Sequence, residues 1–591
     1  IFLDPAPMVA AAFAERQRMF ALPRSSWDDY DKALMSDGGG VFARSLKSIP
    51  LSPQVQAMLN VTAASLPPAE LISAILRMQV DLLWFGGIGT YVKASSETHA
   101  DAGDRASDAV RIDARDVRAR VIGEGANLGL TQAARIEFSR HGGRINTDFI
   151  DNSAGVDCSD HEVNIKIALN GDVAAGRLTR PDRDALLKLM TDDVSSLVLK
   201  DNRLQTQALS LAEAGGAAAM PAFQRLIQTL EAEAGLNRRM EGLAADDALA
   251  QRAAAGEGLT RPELAVVMAY AKMAAYDALV GSTVVDDPLL EADLLAAFPS
   301  AMQGPHRGAI VHHRLRRELV ATKLCNELLN RAGLTAPFEL AEELGVGLAD
   351  VARAFVAARE LFGFAALWHA IDTADVPAAA ALSLHRDTQS VLRTQMADLI
   401  RLSDGRNASS LVAGIAPGLA ALGRALDTVV KAEVRSQLDR MAARLSESGA
   451  PPAVAQALLQ IEALDGAVGI ALLAAERRLD VAATAQAYTL LGETTGLDWA
   501  RGVAAGLTPA DPWERLLTAA LVRDFEQIRL DFLRRLVPDG GDAVAAVTDW
   551  LAGHGDRVAR TAAAIDRARD GGVSSAAMLA HIAGQARAAL S

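Results

Sequence analysis

Two short turns in the first third of the chain carry residues suited to binding a flat, polar ligand. Residues 123–127 read Gly-Glu-Gly-Ala-Asn and residues 151–155 read Asp-Asn-Ser-Ala-Gly, so each turn combines small residues with one Asn. Glycine lets a backbone approach a ligand closely, and a carboxamide offers both a donor and an acceptor. The two turns therefore suit a nicotinamide amide or an amino-acid headgroup. The alternative is that Asn127 and Asn152 are ordinary turn residues that tolerate a left-handed backbone.

The sequence around these turns predicts alternating strands and helices. Residues 117–122 and 144–150 have the pattern of strands, and each segment leads into one of the two turns. A helix is expected after Thr131, and another over residues 159–170. This order is typical of an α/β fold with a parallel sheet covered by helices, in which ligands bind at the carboxyl ends of the strands.

A third Gly-rich segment follows another predicted strand, over residues 80–85. It begins with Gly86 and Gly87, and Gly87 forms a G-x-G with Gly89. Val92 stands where the dinucleotide fingerprint needs its third Gly. On the pattern alone, this segment is a tight turn that requires small residues.

Together these segments resemble the second half of the nucleotide-binding domain of glutamate dehydrogenases. That family carries E-G-A-N, matched at residues 124–127, and then a Thr and an Ala-rich helix, matched from Thr131. It next carries N-A-G-G-V and a Ser three residues further on, matched by residues 152–156 and Ser159. The large, multi-domain, NAD-specific bacterial class is the most similar, because its D-L-L-W-F-G-G-I-G-T run occupies residues 81–90. Most of the chain on either side also resembles that class.

The resemblance implies a fold, a reaction and a cofactor. It implies part of a Rossmann-type domain in an NAD-dependent enzyme that deaminates L-glutamate oxidatively to 2-oxoglutarate and ammonia, with NAD supplying the redox chemistry. The residues that it places at the cofactor are Gly86, Gly87, Gly125, Asn127 and Asn152. It places Ser159 on the side-chain carboxylate of the substrate.

The resemblance also implies where the catalytic residues belong. The family's catalytic Lys and Asp lie upstream of its phosphate-binding turn, so we expect them upstream of Ile1. We therefore assign no catalytic residue within residues 1–591, and no metal ligand.

Departures from the smaller glutamate dehydrogenases keep two other functions open. Ser153 and Ala154 replace A-G, and residues 160–162 replace an aromatic pair before the Glu. His161 is expected at the surface or behind the site, although it could tune the site. Leucine- and phenylalanine-type dehydrogenases are similar around E-G-A-N, but they need an apolar pocket where Ser159 stands. The second alternative is a non-catalytic helical assembly module.

Composition narrows the class of protein further. Of the 591 residues, 50% are hydrophobic and 22% are charged, which is enough for several domains with large cores. The net charge of -14 argues against non-specific nucleic-acid binding. No charge-free apolar run reaches the length of about 18 residues that suggests a membrane span. The two cysteines fit a reducing compartment. We therefore expect a cytoplasmic protein without nucleic-acid or membrane partners. We also expect a homo-oligomer, although composition does not determine the oligomeric state.

Three regions are predicted along the chain. Residues 1–172 form the carboxyl-terminal part of the NAD-binding domain, residues 173–375 form a helical region and residues 376–591 form a helical bundle. The chain opens at Ile1 in a strand-like segment and no phosphate-binding Gly-rich turn is present, so we expect a fragment of a longer enzyme that is inactive alone. After Asn170 no strand is expected, and helix start signals recur. One long helix is predicted over residues 309–331.

Overall fold

Helices dominate the fold, as the sequence predicts. The computed structural model describes residues 1–426, 432–507, 511–571 and 575–590. Within these residues, every strand lies at or before Glu124, and the strands form four two-stranded sheets. The helical character of the chain beyond Asn170 is therefore confirmed for the described residues.

Two of the small sheets are antiparallel and two are parallel. The antiparallel pairs are Phe2–Leu3 with Gly40–Val41, and Ile49–Pro50 with Ser65–Leu66. The parallel pairs are Leu82–Phe85 with Val121–Glu124, and Val92–Lys93 with Ile112–Asp113. In the longest pair, Leu82 lies opposite Val121 and Phe85 lies opposite Glu124. Two of the Gly-rich turns thus leave adjacent strands at the same edge, which is the relation that the sequence predicts.

The strand-like opening of the chain is confirmed, although the strand itself is short. It comprises Phe2–Leu3, and Ile1 extends its pairing. The Ile1 amino group donates a hydrogen bond to the Phe42 carbonyl at 2.6 Å, and the Ile1 carbonyl accepts from the Phe42 amide at 2.8 Å. The Ile1 side chain packs against a small hydrophobic core that includes Leu3 and Ile49.

The helices of the first region begin at recognisable caps. Thr131 accepts a hydrogen bond at its hydroxyl from the Ala134 amide at 3.1 Å, and Ser52 caps a helix that has Pro53 in its first turn. The α-helices are Val9–Phe20, Pro53–Leu59, Pro68–Leu76, Gln132–Arg140, Asp148–Asp151 and Ser153–Ala174. Single 3₁₀ turns are Trp27–Asp29, Lys32–Leu34, Arg105–Ser107 and Ala114–Asp116.

The predicted strand over residues 144–150 is wrong. Only Arg144 continues the sheet, through an isolated parallel bridge to Val121, and Asp148–Asp151 is a short helix. The two terminal carboxylates of this helix turn back and accept hydrogen bonds from backbone amides in the turn at residues 124–128. A strand points successive side chains to opposite faces and would not bring both carboxylates to one turn.

The rest of the described chain is helical and shares one hydrophobic core, which runs from Ile150 to Leu590. The α-helices within residues 173–375 are Arg180–Leu189, Thr191–Glu213, Met220–Glu233, Arg238–Glu241, Asp246–Ala254, Arg261–Val280, Glu291–Ala296, Ser300–Gln303, Arg307–Val311, Arg316–Ala332, Ala336–Leu344, Leu348–Phe362 and Phe364–Asp372. The 3₁₀ turns are Gly216–Ala219, Val284–Asp286 and Pro288–Leu290. The α-helices after residue 375 are Ala378–Leu402, Ala408–Arg424, Ala432–Glu447, Pro452–Ala463, Ala467–Arg477, Val481–Thr495, Leu497–Gly506, Pro512–Leu536, Ala543–Gly553, Gly555–Asp570 and Ala576–Leu590.

The single helix predicted over residues 309–331 is instead two helices, Arg307–Val311 and Arg316–Ala332. His313 lies in the break between them. Its Nδ1 accepts a hydrogen bond from the Leu315 amide at 3.1 Å, so its Nε2 donates to the Asn164 carbonyl at 3.1 Å. The buried imidazole thus connects this break to the helix Ser153–Ala174 by a hydrogen bond, and the helix predicted over residues 309–331 is interrupted there.

One segment, Ala408–Leu426, is long and apolar enough to cross a membrane by length and composition. Its Leu411 and Ile415 are buried in the hydrophobic core. Gly418 lies so close to the helix Ala467–Arg477 that an added Cβ would come within 2.7 Å of the Ala471 Cβ. One face of this segment therefore packs within the helical core of the protein.

Candidate functional site

A cleft of about 670 Å³ opens beside the first Asn turn. One wall is formed by Gly125, Asn127 and Leu128, and another by Asn152 and Val156 at the start of the helix Ser153–Ala174. The remaining lining comes from residues of the two loops at 88–90 and 104–107. The structure thus brings three of the predicted cofactor residues, Gly125, Asn127 and Asn152, to one cavity.

Asn127 and Asn152 are in direct contact. The Asn152 side chain donates a hydrogen bond from Nδ2 to Asn127 Oδ1. The sequence predicts that Asn152 follows a strand, and this prediction is wrong. Asn152 instead joins the helices Asp148–Asp151 and Ser153–Ala174, with φ -101°. Neither Asn is among the described residues with positive φ, whereas Leu128 has φ 59°. A left-handed backbone therefore does not explain the choice of Asn at either position.

Three carboxylates hold the turn that carries Asn127. Glu124 Oε1 accepts from the Leu130 amide at 3.2 Å, Asp148 Oδ2 from the Leu128 amide at 2.8 Å, and Asp151 Oδ2 from the Glu124 amide at 2.9 Å. Each bond satisfies a backbone N–H that would otherwise lack a partner at the end of the strand or in the turn. The loop conformation is therefore set by acidic side chains, which the sequence interpretation did not identify.

Arg135 compensates two of these carboxylates. It donates from Nε to Glu124 Oε2 at 2.7 Å and from NH2 to Glu124 Oε1 at 2.8 Å, and its NH2 lies 3.3 Å from Asp148 Oδ2. Burial raises the pKa of Glu124, although the hydrogen bonds from Arg135 oppose that rise. Because Glu124 is 0% exposed and Arg135 is 4% exposed, each side chain depends on the other for its charge balance.

Trp84 occupies the space beside the glycines of the first turn. A Cβ added at Gly123 would lie 2.5 Å from the indole, and one added at Gly125 would also collide with it. The indole itself is 58% exposed. The absence of a side chain at Gly125 is therefore required by Trp84, whatever ligand approaches from the cleft. Gly86 and Gly87 do not line the cleft, and an added Cβ at Gly87 would meet open space.

Ser159 lies on the same face of the helix Ser153–Ala174 as Asn152. Val156 and Val163 belong to that face and are 65% and 53% exposed, and Ser159 between them is also exposed. Seven residues of helix separate Asn152 from Ser159, which corresponds to roughly 10 Å along the axis. Ser159 therefore lies beside the cleft and not in its lining, and its predicted contact with a substrate carboxylate stays a prediction.

The start of the chain takes no part in this cleft. Ile1 pairs with Phe42 at the edge of a separate small sheet, and neither residue lines the cavity. The placement of the catalytic Lys and Asp upstream of Ile1 therefore stays a prediction.

The opposite face of the same helix is buried. His161 is 8% exposed, which excludes a place at the surface and leaves the other predicted place, behind the site. Its Nε2 lies 3.7 Å from Asp157 Oδ1, one turn earlier. On the neighbouring helix Thr191–Glu213, Asp201 Oδ2 accepts a hydrogen bond from Lys323 Nζ at 2.8 Å. A polar cluster thus backs the helix whose other face carries Ser159.

Arg261 connects the cleft to the helical region. Its Nε donates to the Asn146 side chain, which in turn donates to Asp151 at 2.6 Å. Its other nitrogens donate to the Thr206 carbonyl at 2.9 Å and to Ser210 Oγ at 3.0 Å. The second turn of the cleft is therefore fixed to the helix Thr191–Glu213 through one guanidinium.

The geometry shows a mainly helical protein with a polar cleft at the edge of a parallel strand pair, backed by a long helical region. Residues 1–212 match the family described as bacterial NAD-glutamate dehydrogenase, catalytic domain, and residues 256–587 match glutamate dehydrogenase, C-terminal. The chain belongs to the bacterial NAD-glutamate dehydrogenase family.

Its relatives include three proteins named NAD-specific glutamate dehydrogenase. The protein from Pseudomonas aeruginosa is 42% identical over 572 residues, with 94% of this chain and 35% of the relative covered. The protein from Halomonas elongata is 40% identical, with the same coverage of 94% and 35%. The protein from Mycobacterium tuberculosis is 39% identical, with coverage of 99% and 37%. The chain thus spans about a third of the length of these relatives.

Proposed function

We propose that the protein containing this chain is an NAD-dependent glutamate dehydrogenase. It deaminates L-glutamate oxidatively to 2-oxoglutarate and ammonia. The observation that carries the proposal is the hydrogen-bonded pair of Asn127 and Asn152 on the walls of one cleft. The family of the chain and the names of its relatives support the same reaction.

The Asn pair fits the carboxamide of a nicotinamide. Asn152 Nδ2 and Asn127 Oδ1 bond to each other, and no described residue bonds to Asn127 Nδ2 or Asn152 Oδ1. The Nδ2 of Asn127 therefore remains as a donor group and the Oδ1 of Asn152 as an acceptor, which together complement a carboxamide. When NAD is bound, it serves as the hydride acceptor. The role of the two Asn side chains is to orient the nicotinamide ring against the substrate.

Ser159 recognises the side-chain carboxylate of glutamate in this proposal. Its hydroxyl is exposed on the helix face that begins at Asn152, so a substrate lying along that face can reach both residues. A hydroxyl suits a carboxylate and is a poor neighbour for the apolar side chain of leucine or phenylalanine. This contact is the reason to prefer glutamate over the substrates of leucine- and phenylalanine-type dehydrogenases.

We also propose that residues 1–172 belong to a Rossmann-type NAD-binding domain, with Gly86 and Gly87 near the cofactor and the catalytic residues upstream of Ile1. The parallel pair of Leu82–Phe85 and Val121–Glu124 supports this assignment, because it is the central element of such a domain. The proposed helical region is 173–375, and the proposed helical bundle is 376–591.

The proposed setting is a cytoplasmic homo-oligomer that binds neither nucleic acid nor membranes. The two unpaired cysteines and the net charge of -14 support it. The helix Val9–Phe20 exposes Val9, Phe13 and Phe20, which provides apolar surface for contacts beyond this chain. Light scattering on the purified full-length protein tests the oligomer.

Substitution of the two Asn residues in the full-length enzyme tests the proposed function. Asn127→Ala and Asn152→Ala should each lower kcat/KM for NAD about 10- to 100-fold, because each removes a positioned polar group. Asn170→Ala is the matched control, since Asn170 is exposed on the helix Ser153–Ala174 away from the cleft. If the two cleft variants lost activity only in proportion to lost folded protein, the proposal would fail.

Residues 1–591 alone should not oxidise glutamate. The sequence contains no phosphate-binding Gly-rich turn, and that turn with its helix provides most of the binding energy for a dinucleotide. Isothermal titration of this polypeptide with NAD should detect weak binding or none. Robust NAD-dependent turnover by this polypeptide would show that the catalytic groups lie within it.

A further inference from the structure

Three potential metal ligands meet on the buried side of the helix Ser153–Ala174. Asp157 and His161 are four residues apart and therefore share a face, roughly opposite to that of Ser159. Asp201 comes from the neighbouring helix Thr191–Glu213. One donor atom from each of these three residues can be chosen so that all lie within 4.8 Å of one another. The cluster is thus preassembled from two elements of the fold.

One atom of this cluster lacks the partner that burial requires. Asp157 Oδ2 is buried, and no described residue donates a hydrogen bond to it. His161 Nε2 faces Asp157 Oδ1 at 3.7 Å, which is beyond hydrogen-bonding distance. A neutral imidazole nitrogen beside carboxylate oxygens is a donor set that suits a divalent transition-metal ion.

Lys323 satisfies only one of the two carboxylates. Its Nζ donates to Asp201 Oδ2 at 2.8 Å, whereas Asp157 has no hydrogen-bonded cation among the described residues. The two carboxylates lie close together, and the described residues supply a hydrogen-bonded cation to Asp201 alone. An additional cation at this position would therefore relieve an unfavourable interaction within the fold.

We propose that Asp157, His161 and Asp201 bind one divalent transition-metal ion, with Zn²⁺ as the best match. One imidazole nitrogen with two carboxylate oxygens suits Zn²⁺, while Mg²⁺ and Ca²⁺ prefer ligand sets made of oxygen alone. Ligands at about 2.0–2.2 Å from a tetrahedral zinc ion lie roughly 3.3 Å apart, so the present donors need to move by only about 1 Å. Water completes the coordination.

Lys323 competes with the metal ion for Asp201. Its side chain is 27% exposed, so its ammonium group can turn towards solvent when the ion enters. The ion would then connect the helices Ser153–Ala174 and Thr191–Glu213 directly. Since the first of these helices begins beside Asn152 and carries Ser159, metal binding would restrict the movement of the helix that lines the cleft.

Metal content measured on the full-length protein tests the proposal. All proteins carry Cys158→Ser, because Cys158 is exposed next to Asp157 and could bind Zn²⁺ by itself. After equilibrium dialysis against Zn²⁺, the parent should retain one ion more per chain than His161→Gln. The matched control is His141→Gln, since His141 is exposed and outside the cluster. It should bind as much zinc as the parent.

Two further measurements keep the test independent of folding. Asp157→Asn preserves the shape of the side chain and should weaken Zn²⁺ binding at least tenfold, with an unchanged circular dichroism spectrum. Lys323→Met removes the competing cation and should tighten binding at least threefold. Addition of Co²⁺ should give visible absorption bands in the parent that are absent in His161→Gln. Equal zinc binding by the parent, His161→Gln and Asp157→Asn would overturn the proposal, as would weaker binding by Lys323→Met.

Discussion

Arg135 binds Glu124 through two hydrogen bonds of 2.7 and 2.8 Å, and neither side chain has appreciable contact with solvent. The same Glu124 accepts the amide of Leu130 at the far end of the turn that carries Asn127. The position of a cleft residue is therefore coupled to a buried ion pair that lies outside the lining of the cleft. This coupling makes the ion pair a structural requirement of the site.

Replacement of Arg135 should destabilise the fold strongly. Arg135→Met leaves Glu124 buried without its partner, which is expected to cost about 3–5 kcal/mol of unfolding free energy. Arg120→Met is the control, because Arg120 pairs with Asp81 while the two side chains are 81% and 88% exposed. Exposed pairs contribute about 0–1 kcal/mol. Urea unfolding at neutral pH distinguishes the two, and equal losses would contradict the buried ion pair.

A second prediction concerns Trp84 and Gly125. Gly125→Ala should destabilise the protein by about 1–3 kcal/mol, because the new methyl group collides with the indole. In a Trp84→Ala background the same change should cost much less, so a double-mutant cycle should reveal coupling. If the cost of Gly125→Ala were the same in both backgrounds, the indole would not be the reason for glycine at this position.

The substrate preference of the enzyme should depend on Ser159. Ser159→Ala in the full-length enzyme is expected to lower kcat/KM for glutamate. The loss should correspond to about 1–3 kcal/mol of transition-state stabilisation, the usual cost of one hydrogen bond to a charged group. Activity with leucine or phenylalanine should not fall in parallel. Ser196→Ala, an exposed change on the helix Thr191–Glu213, serves as the control. Unchanged glutamate kinetics in Ser159→Ala would remove Ser159 from the site.

The stability of the helical region should depend on pH through Asp372. Burial acts to raise its pKa, but His385 and Arg331 beside it outweigh burial and hold the pKa well below its usual range. A carboxyl group with a lowered pKa in the folded state stabilises the fold above the unfolded-state pKa, near 3.9, and loses that contribution as the pH falls further.

The comparison of Asp372→Asn with the parent makes this dependence measurable. The variant should be less stable by about 1–3 kcal/mol at pH 7, and the difference should shrink as the pH falls from about 5 to 2. Asp549→Asn, at an exposed position of the helix Ala543–Gly553, should show no such trend. A difference for Asp372→Asn that stayed constant down to pH 2 would contradict the assigned pKa.

The parts of the site that could be predicted from the sequence are those encoded locally. The turns with Asn127 and Asn152 are recognisable because small residues and one amide stand within a few positions. The strand at residues 80–85 is likewise a short apolar run, although the structure begins it at Leu82. Such local patterns reflect backbone preferences that act between neighbours in the chain.

The contacts that hold the site could not be predicted in the same way. Asp148 and Asp151 read as polar residues at the end of a strand, and only the fold shows that they bind amides of the first turn. His161 and Asp201 come together from two helices, so no local spacing relates them. These contacts depend on how helices and strands pack together. A periodic sequence pattern indicates which face of a helix or strand is apolar, but not which neighbour packs against that face.

The continuous core from Ile150 to Leu590 has a consequence for any attempt to divide the protein. The helix Leu348–Phe362 packs against both Ala378–Leu402 and Ala408–Arg424, which lie beyond residue 375. A truncation at that point would expose the surface that the helix Leu348–Phe362 buries against these two helices. The helices after residue 375 are therefore needed for the helices before them to fold. A protein shortened at that point would expose apolar surface and aggregate.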